Sequence, residues 1–129
     1  MREYIKRQKG QTVNGPAPAR LKRSIVARCG QQFHCNVLIE TGTYLGEMIE
    51  YQAKYFEKIY SIEISELFYN FSSKRLRKRK NIIVMQGDSS TVLEKVIRKL
   101  TVTDKVLFWL DGHYSGGKTG MGGGSVPYL

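Results

Sequence analysis

One short segment of the chain combines a carboxylate with two glycines directly after an apolar run. The segment Val37 to Gly46 reads VLIETGTYLG, so Glu40, Gly42 and Gly46 follow or end the hydrophobic residues. Small residues at a turn between a strand and a helix let the backbone approach a ligand, and nucleotide-like ligands bind at such turns in doubly wound sheets. The spacing therefore predicts a ligand-binding turn.

The spacing of this turn differs from that of a dinucleotide fingerprint. Tyr44 occupies the position at which the fingerprint needs its second glycine. Because that glycine lets the backbone approach the pyrophosphate, an NAD-type site is disfavoured. The alternative to any ligand is that Gly42 and Gly46 serve only a tight turn and the packing of the next helix.

A second carboxylate, Glu63, closes the apolar run IYSIE. It lies about 20 residues after Gly42, the distance at which an acidic residue holds a ribose in nucleotide-binding sheets. Hydrogen bonds to a charged acceptor are the stronger kind, so Glu63 is predicted to bind ribose hydroxyls. The alternative is a carboxylate that faces solvent at the end of a strand.

The sequence GDSS follows a third apolar run and precedes a helical pattern. Ser and Asp accept hydrogen bonds from the free amides of a first helical turn, so Ser89 or Ser90 is predicted to cap the helix. Asp88 lies one position closer to the end of the strand. Its carboxylate is a candidate acceptor for the exocyclic amine of an adenine, and the alternative is that Asp88 serves as a helix cap.

An acid and an imidazole follow the fourth apolar run, at Asp111 and His113. The unperturbed pKa of histidine lies near neutral pH, so His113 is the candidate general base. Asp111 is a candidate ligand for a cationic group or a divalent ion, although two residues do not make a metal site. The alternative is a turn that the Asp111 side chain stabilises.

These residues need elements that bring the ends of the apolar runs together. The runs VLIE, IYSIE, IIVMQ and VLFWLD alternate with longer stretches of helical periodicity. Such alternation is typical of right-handed crossovers that build a parallel sheet, so the predicted fold class is α/β. The predicted helices are a short one from Ala19 to about Cys29, a weak one from Ser65 to Arg79, and two with the apolar faces Leu45, Met48, Ile49, Ala53, Phe56 and Val92, Leu93, Val96, Ile97, Leu100.

Neither end of the chain shows the apolar periodicity of a helix or of a strand. Residues 1–18 are rich in glycine, proline and basic residues and are predicted to form a flexible basic arm, whereas residues 19–129 form the domain and end in a glycine-rich loop. The sequence shows neither a signal peptide nor an apolar run long enough to span a membrane. We therefore expect a cytoplasmic protein.

The fourth run, VLFWL, is expected at the edge of a small four-stranded sheet. An apolar edge strand invites pairing with another chain or aggregation. We therefore expect that the chain is a fragment of a larger domain, or that another chain completes its sheet, as in a homo-oligomer.

The charge of the chain is strongly positive. Lys plus Arg number 21 against 11 Asp plus Glu, which gives a formal charge of +10 and favours acidic partners. Residues 74–80, KRLRKRK, are basic except for one leucine. A second hypothesis is therefore a nucleic-acid-binding protein whose affinity falls with salt. Against it, the run lies in a predicted helix, where Lys and Arg form a solvated face, and no aromatic residue interleaves it.

Taken together, the four segments resemble those of the class I S-adenosylmethionine-dependent methyltransferases. The resemblance is to a bacterial O-methyltransferase-like group with an ETGTYLG loop and an LDGHYSGG loop, and it covers Pro16 to about Leu129. It implies a Rossmann-like parallel sheet. Full domains of this class have seven strands, so the resemblance implies that only the N-terminal, cofactor-binding half is present.

The resemblance also implies a reaction and the residues that carry it. The cofactor is S-adenosylmethionine, with its methionine part at the glycine turn, its ribose on Glu63, and its adenine beside Asp88. The implied activity is methyl transfer to a hydroxyl of a sugar or other small metabolite, with His113 as proton acceptor. The implied catalytic residues are His113 and Asp111, and the implied cofactor-binding residues are Glu40, Thr41, Gly42, Thr43, Gly46, Glu63, Asp88, Ser89 and Asp111.

Two further expectations follow from the family. Related O-methyltransferases can hold a divalent cation near Asp111, but the other carboxylates of such a site lie downstream in the family and are absent here. A third hypothesis is accordingly a truncated, inactive remnant that at best binds cofactor weakly.

Overall fold

The computed structural model describes residues 18–110, in which helices and strands alternate along the chain. All four predicted strands form, so the predicted α/β class is confirmed. The predicted arm is outside the described residues except for Pro18, and the predicted glycine-rich loop lies wholly outside them. The elements are α1 (Ala19–Gln32), β1 (Val37–Thr41), α2 (Glu47–Gln52), β2 (Lys58–Glu63), α3 (Glu66–Arg75), β3 (Ile82–Gln86), α4 (Ser89–Ile97) and β4 (Val106–Leu110).

The four strands form one parallel sheet in the order β3-β2-β1-β4. Thr41 at the end of β1 pairs with Ile62 on one side and Leu110 on the other, so the carboxyl ends of the strands share one edge. The chain proceeds outward from β1 to β3 and then returns to place β4 on the other side of β1. The strand order therefore reverses between β1 and β4, which is where ligands bind in open α/β sheets.

Helices cover both faces of the sheet, and alternate residues of β1 supply the two cores. On one face Leu38 and Ile59 pack with residues from and around the first three helices; on the other, Val37 and Ile39 pack with α4. Every residue of β1 is buried, as expected for a central strand covered on both faces. The first core is Val26, Leu38, Ile49, Phe56, Ile59 and Leu76, and the second is Val37, Ile39, Tyr60, Ile62, Val92 and Val96.

The helix boundaries differ from those that periodicity predicted. Helix α2 ends at Gln52, and Phe56 reaches the same core from the connection to β2. Helix α3 ends at Arg75 because Leu76, the apolar residue of the basic run, turns into the core and is 3% exposed. The prediction that the basic run lies within a helix is therefore wrong, since most of the run follows the helix.

The edge strand β4 keeps apolar side chains exposed, as the sequence predicts. Phe108 is 44% exposed and Leu110 is 50% exposed. Within residues 18–110, β4 pairs only with β1. Among the helices of this same range, the structure contains none that is both long enough and apolar enough to cross a membrane.

Candidate functional site

The predicted glycine turn curls over the carboxyl edge of the sheet between β1 and α2. The backbone φ angle is positive at three of its residues: 85° at Gly42, 51° at Tyr44 and 83° at Gly46. The Gly42 amide donates to the carbonyl of Ile62 at 2.8 Å, and the Gly46 amide donates to the carbonyl of Thr43 at 2.9 Å. The turn is thus tied both to the neighbouring strand and to itself.

Gly46 is required by both conformation and space. An added Cβ would lie 2.9 Å from Leu76 Cδ1, in a conformation that L side chains rarely adopt. Gly46 therefore permits close packing against Leu76 at the end of α3, so helix packing, the alternative that the sequence leaves open, is part of its role. Tyr44 accepts a left-handed conformation without being glycine, and its ring lies edge-on to Phe68 with the centroids 4.7 Å apart.

A buried hydrogen-bonded chain joins two strands to the turn. Ser61 Oγ donates to Glu40 Oε1 at 2.5 Å, and Thr43 Oγ1 lies 2.6 Å from Ser61 Oγ. Because the Ser61 hydroxyl donates its hydrogen bond to the carboxylate, the Ser61 oxygen accepts a hydrogen bond from the Thr43 hydroxyl. The three residues are between 0 and 3% exposed. Sequence reasoning missed Ser61; the signal that could have found it is a hydroxyl in the middle of an apolar strand.

Glu63 holds the turn from the adjacent strand. Its Oε1 accepts from the Tyr44 amide at 2.8 Å, and its Oε2 accepts from the Ser65 amide at 2.8 Å. The residue is 3% exposed, so the alternative of a solvent-facing carboxylate is wrong. Each of its two carboxylate oxygens therefore accepts from one backbone amide.

Asp88 caps α4, which confirms the alternative role given to it, whereas the predicted cap at Ser89 or Ser90 is wrong. Asp88 Oδ1 accepts from the amide of Ser90 at 2.9 Å and from its hydroxyl at 2.8 Å, and Ser89 is the first helical residue. The Gly87 amide donates to the Glu63 carbonyl at 2.9 Å, so the hydrogen bonding between β2 and β3 continues one residue beyond β3. Asp88 then has an extended backbone and directly precedes the helix.

A cavity of about 230 Å³ lies at the point where the strand order reverses, between α1, the glycine turn and Trp109 of β4. It brings Glu40, Gly42 and Thr43 together, as the sequence predicts. Glu63 and Asp88 lie along the same edge but do not line this cavity. The lining residues are Ala19, Lys22, Arg23, Glu40, Gly42, Thr43, Tyr44, Leu45, Glu47, Met48 and Trp109.

Residues of both charges line the cavity. Glu40 and Glu47 belong to β1 and the start of α2, whereas Lys22 and Arg23 come from α1. Sequence reasoning missed Lys22, Arg23 and Trp109 as lining residues, because their positions become visible only when α1 packs over the turn. A compact ligand with one anionic and one cationic group matches these charges.

The other predicted site residues stand apart from this cavity. Thr41 ends β1, is 7% exposed and does not line it. Asp111 and His113 lie outside the described residues. No cluster of three or more potential metal ligands occurs within residues 18–110.

Comparison with known proteins places this fold among methyltransferases of known structure. No family model and no curated protein matches the sequence. The O-methyltransferase TomG from Streptomyces achromogenes, solved with SAM, is 16% identical with a TM-score of 0.64, covering 75% of this chain and 46% of that one. An O-methyltransferase from Bacillus cereus, solved with SAH, is 12% identical with a TM-score of 0.59, covering 84% and 52% respectively.

A third similar structure is an amino pentose methyltransferase from Micromonospora echinaspora, solved with SAM, at 18% identity and a TM-score of 0.50. The match covers 70% of this chain and 35% of the amino pentose methyltransferase chain. The chain thus spans about half or less of each of these proteins. Its Rossmann-like fold is that of the class I methyltransferases, which confirms the resemblance at the level of the fold.

Proposed function

We propose that this chain, with the fold of part of a class I methyltransferase domain, binds S-adenosylmethionine at the carboxyl edge of its sheet. The proposed activity is methyl transfer to a hydroxyl of a sugar or another small metabolite. One observation carries the proposal: buried Glu40, the last residue but one of β1, and buried Glu63, the last residue of β2, adjoin the glycine turn at the edge where the strand order reverses beside a cavity.

The methionine part of the cofactor fits the charges of the cavity. Its ammonium group needs an acceptor such as Glu40, and its carboxylate needs a cation such as Lys22 or Arg23, all of which line the same space. Trp109 lines the cavity as well, and an indole face attracts cations. These residues support the proposal for the amino-acid end of the ligand.

The adenosine part is proposed to extend along the edge from β1 towards β3. Glu63 is proposed to accept from the ribose hydroxyls as well, because a carboxylate has about four acceptor positions and its two amide partners use one each. Asp88 and Ser89 begin the next connection along the edge and are proposed to lie beside the adenine. Thr41, Gly42, Thr43 and Gly46 complete the proposed cofactor-binding set.

The remaining chemistry requires positioning and the removal of one proton. Bound S-adenosylmethionine supplies an electrophilic methyl group. The protein must align the acceptor oxygen and take up its proton, and His113 is the proposed proton acceptor. Asp111 is proposed to orient the cofactor or a divalent cation. Both residues follow β4, whose register with β1 brings its carboxyl end to this edge.

Isothermal titration of the full chain with S-adenosylhomocysteine tests the proposal without knowledge of the acceptor. We expect binding by the wild type and a loss of at least about tenfold in Glu40→Gln, which removes the charge but keeps the size. Glu57→Gln, an exposed residue just before β2, is the matched control and should bind like the wild type. No heat from a sample that melts cooperatively would contradict the proposal.

The role of His113 has its own test. With radiolabelled methyl donor and a panel of sugars and small hydroxyl compounds, His113→Ala should reduce turnover by about a hundredfold while leaving the affinity for S-adenosylhomocysteine unchanged. Equal turnover would exclude His113 as the proton acceptor. Repeating the assay with a chelator tests the need for a divalent cation.

A further inference from the structure

An open groove on the surface of α3 combines an aromatic ring with a cluster of cations. The groove has a volume of about 440 Å³ and is lined by Phe71, Lys74, Arg75, Arg77 and Lys78. Phe71 is 50% exposed. We call these five residues the α3 groove.

The fold explains why the aromatic and the cations share this surface. Phe71 lies three and four residues before Lys74 and Arg75, so the three side chains are neighbours on one helix face. The helix then ends, and Arg77 and Lys78 line the same groove from the turn that follows. The sequence shows no aromatic residue within the basic run; the structure adds Phe71 from the preceding helical turn.

Backbone and side-chain contacts fix the basic turn in place. Leu76 is buried, and the amide of Arg79 donates to its carbonyl at 2.9 Å. Arg75 donates to Glu50 Oε1 at 2.8 Å and to the carbonyl of Leu45 at 3.0 Å. Arg75 therefore anchors the groove to the glycine turn, with its charge balanced by Glu50.

The other cations of the groove concentrate positive charge on an exposed surface. Lys74, Arg77 and Lys78 are exposed, and the segment 74–80 contains no acidic residue. Cations in a concave surface concentrate anions, and the formal charge of +10 on the whole chain adds to this attraction.

We propose that the α3 groove binds single-stranded nucleic acid, with a base stacked on Phe71 and the neighbouring phosphates on Lys74, Arg77 and Lys78. A single strand presents phosphates and accessible base faces together, which is the combination that this groove matches. A duplex keeps its bases stacked on each other, and a membrane surface favours a convex apolar face over a groove. This binding is additional to the proposed methyl transfer.

The groove also lies next to the proposed cofactor turn. Tyr44 of the turn contacts Phe68, one helical turn before Phe71, and Arg75 bonds to Leu45 of the same turn. Cofactor affinity is therefore measured alongside nucleic-acid binding in each variant. A loss of one without the other separates failure of this proposal from failure of the proposed function.

The test is fluorescence anisotropy of the full chain with a labelled oligothymidylate of about 12 nucleotides, titrated at several salt concentrations. We expect affinity that falls with salt. The double variant Lys74→Glu/Lys78→Glu should weaken binding more than about tenfold and reduce the salt dependence. Its control is Lys95→Glu/Lys99→Glu, exposed on or just after α4 with the same change in charge, which should retain most of the affinity.

Phe71→Ala tests stacking separately from charge. It should weaken binding about tenfold at every salt concentration and leave the salt dependence unchanged, whereas Phe71→Tyr should bind like the wild type. Circular dichroism melting verifies that each variant folds, and the affinity for S-adenosylhomocysteine should remain unchanged throughout.

Four results of the oligothymidylate and polyphosphate titrations would overturn the proposal. They are the absence of any salt-dependent binding, an equal loss in the Lys95→Glu/Lys99→Glu control, no effect of Phe71→Ala, and equally tight binding of inorganic polyphosphate. Binding to phosphatidylserine vesicles without binding to the oligothymidylate would likewise assign the groove to a membrane surface instead.

Discussion

Hydrogen-bonding side chains lie both at the carboxyl edge of the sheet, where the strands end, and at the amino edge, where the strands begin. The two sets differ in burial and in their hydrogen-bond partners. At the carboxyl edge, Glu40, Ser61 and Thr43 are almost fully buried and bond to one another. At the amino edge, Asn36 is only half-buried, and its Oδ1 accepts from the Lys105 amide at 2.7 Å.

The amino edge uses its polar side chains to close loops. Asn36 Nδ2 donates to Asp104 Oδ1 at 2.9 Å, which joins the starts of β1 and β4. Asn81 Nδ2 donates to the carbonyls of Ala53 at 2.7 Å and Phe56 at 2.9 Å, which holds the connection between α2 and β2. Each bond satisfies a nearby backbone or loop group, so the fold alone accounts for these residues.

The carboxyl edge is harder to explain by folding alone. Burying a carboxylate is costly unless hydrogen bonds compensate for lost water, and Glu40 and Glu63 are both buried there. The same strand ends adjoin the glycine turn and the cavity. The polar side chains at the amino edge stabilise loops, whereas we propose that those at the carboxyl edge also form a ligand site.

Removing the Glu63 carboxylate should lower stability and cofactor affinity more than any substitution at the amino edge. Glu63→Ala deletes charge-assisted bonds to the amides of Tyr44 and Ser65, so we expect a loss of about 3 kcal/mol in the free energy of unfolding and no measurable cofactor binding. Urea denaturation and titration with S-adenosylhomocysteine measure the two effects. Glu57→Ala, at the exposed amino edge, should change stability by less than about 0.5 kcal/mol.

Removing Ser61 should break the buried chain with a smaller cost. Ser61→Ala takes one hydrogen-bond partner from Glu40 and one from Thr43, for an expected loss of about 2 kcal/mol. Urea denaturation is the measurement. Ser73→Ala is the matched control, because Ser73 Oγ is buried with no hydrogen-bond partner among residues 18–110, and its removal should not destabilise. Equal losses in both variants would contradict the role given to Ser61.

Removing Asn36 should affect the amino edge alone. Asn36→Ala loses its bonds to Asp104 and Lys105, and we expect destabilisation of about 1 kcal/mol. The affinity for S-adenosylhomocysteine should equal that of the wild type at a temperature where both are folded. A weaker affinity would show that the two edges are not functionally distinct.

Asp104 should give the smallest effect, and one that depends on pH. The amide of Thr101 and the side chain of Asn36 donate to its carboxylate and hold its pKa below the ordinary value of 3.8. A lowered folded-state pKa contributes stability above that value, which is lost as the pH falls through the folded pKa. Asp104→Asn should therefore be slightly less stable than the wild type near neutral pH, and the gap should close below pH 3.8.

A gap between the wild type and Asp104→Asn that stays constant with pH would contradict this account. The measurement is the midpoint of urea unfolding over a series of pH values. Because Asp104 is at the surface, the effect is expected to remain well below that of any change at the carboxyl edge.

The predicted strands and the glycine turn followed from local patterns. Apolar runs that end in Glu40 and Glu63 are visible in sequence, and parallel pairing then brings their ends to one edge. The fold was therefore accessible from periodicity and connection rules. Gly46 was also identifiable, since a helix start beside a turn favours glycine.

The rest depended on packing that no local pattern contains. Ser61 bonds to Glu40 across the sheet, and Trp109 meets the cavity from the opposite side of β1. Lys22 lines the cavity only because α1 packs over the turn. The end of α3 was also mispredicted, because burial of Leu76 outweighed the helical preference of its basic neighbours.

We propose that the carboxyl edge of the sheet is the cofactor site and that the amino edge is not. The test is a titration of the ¹⁵N-labelled chain with S-adenosylhomocysteine, followed by amide chemical shifts. We predict large shifts at the glycine turn and around Glu63, and almost none at Asn36, Asn81 or Asp104. Shifts concentrated at the amino edge, or none at the glycine turn of a folded sample, would contradict the account.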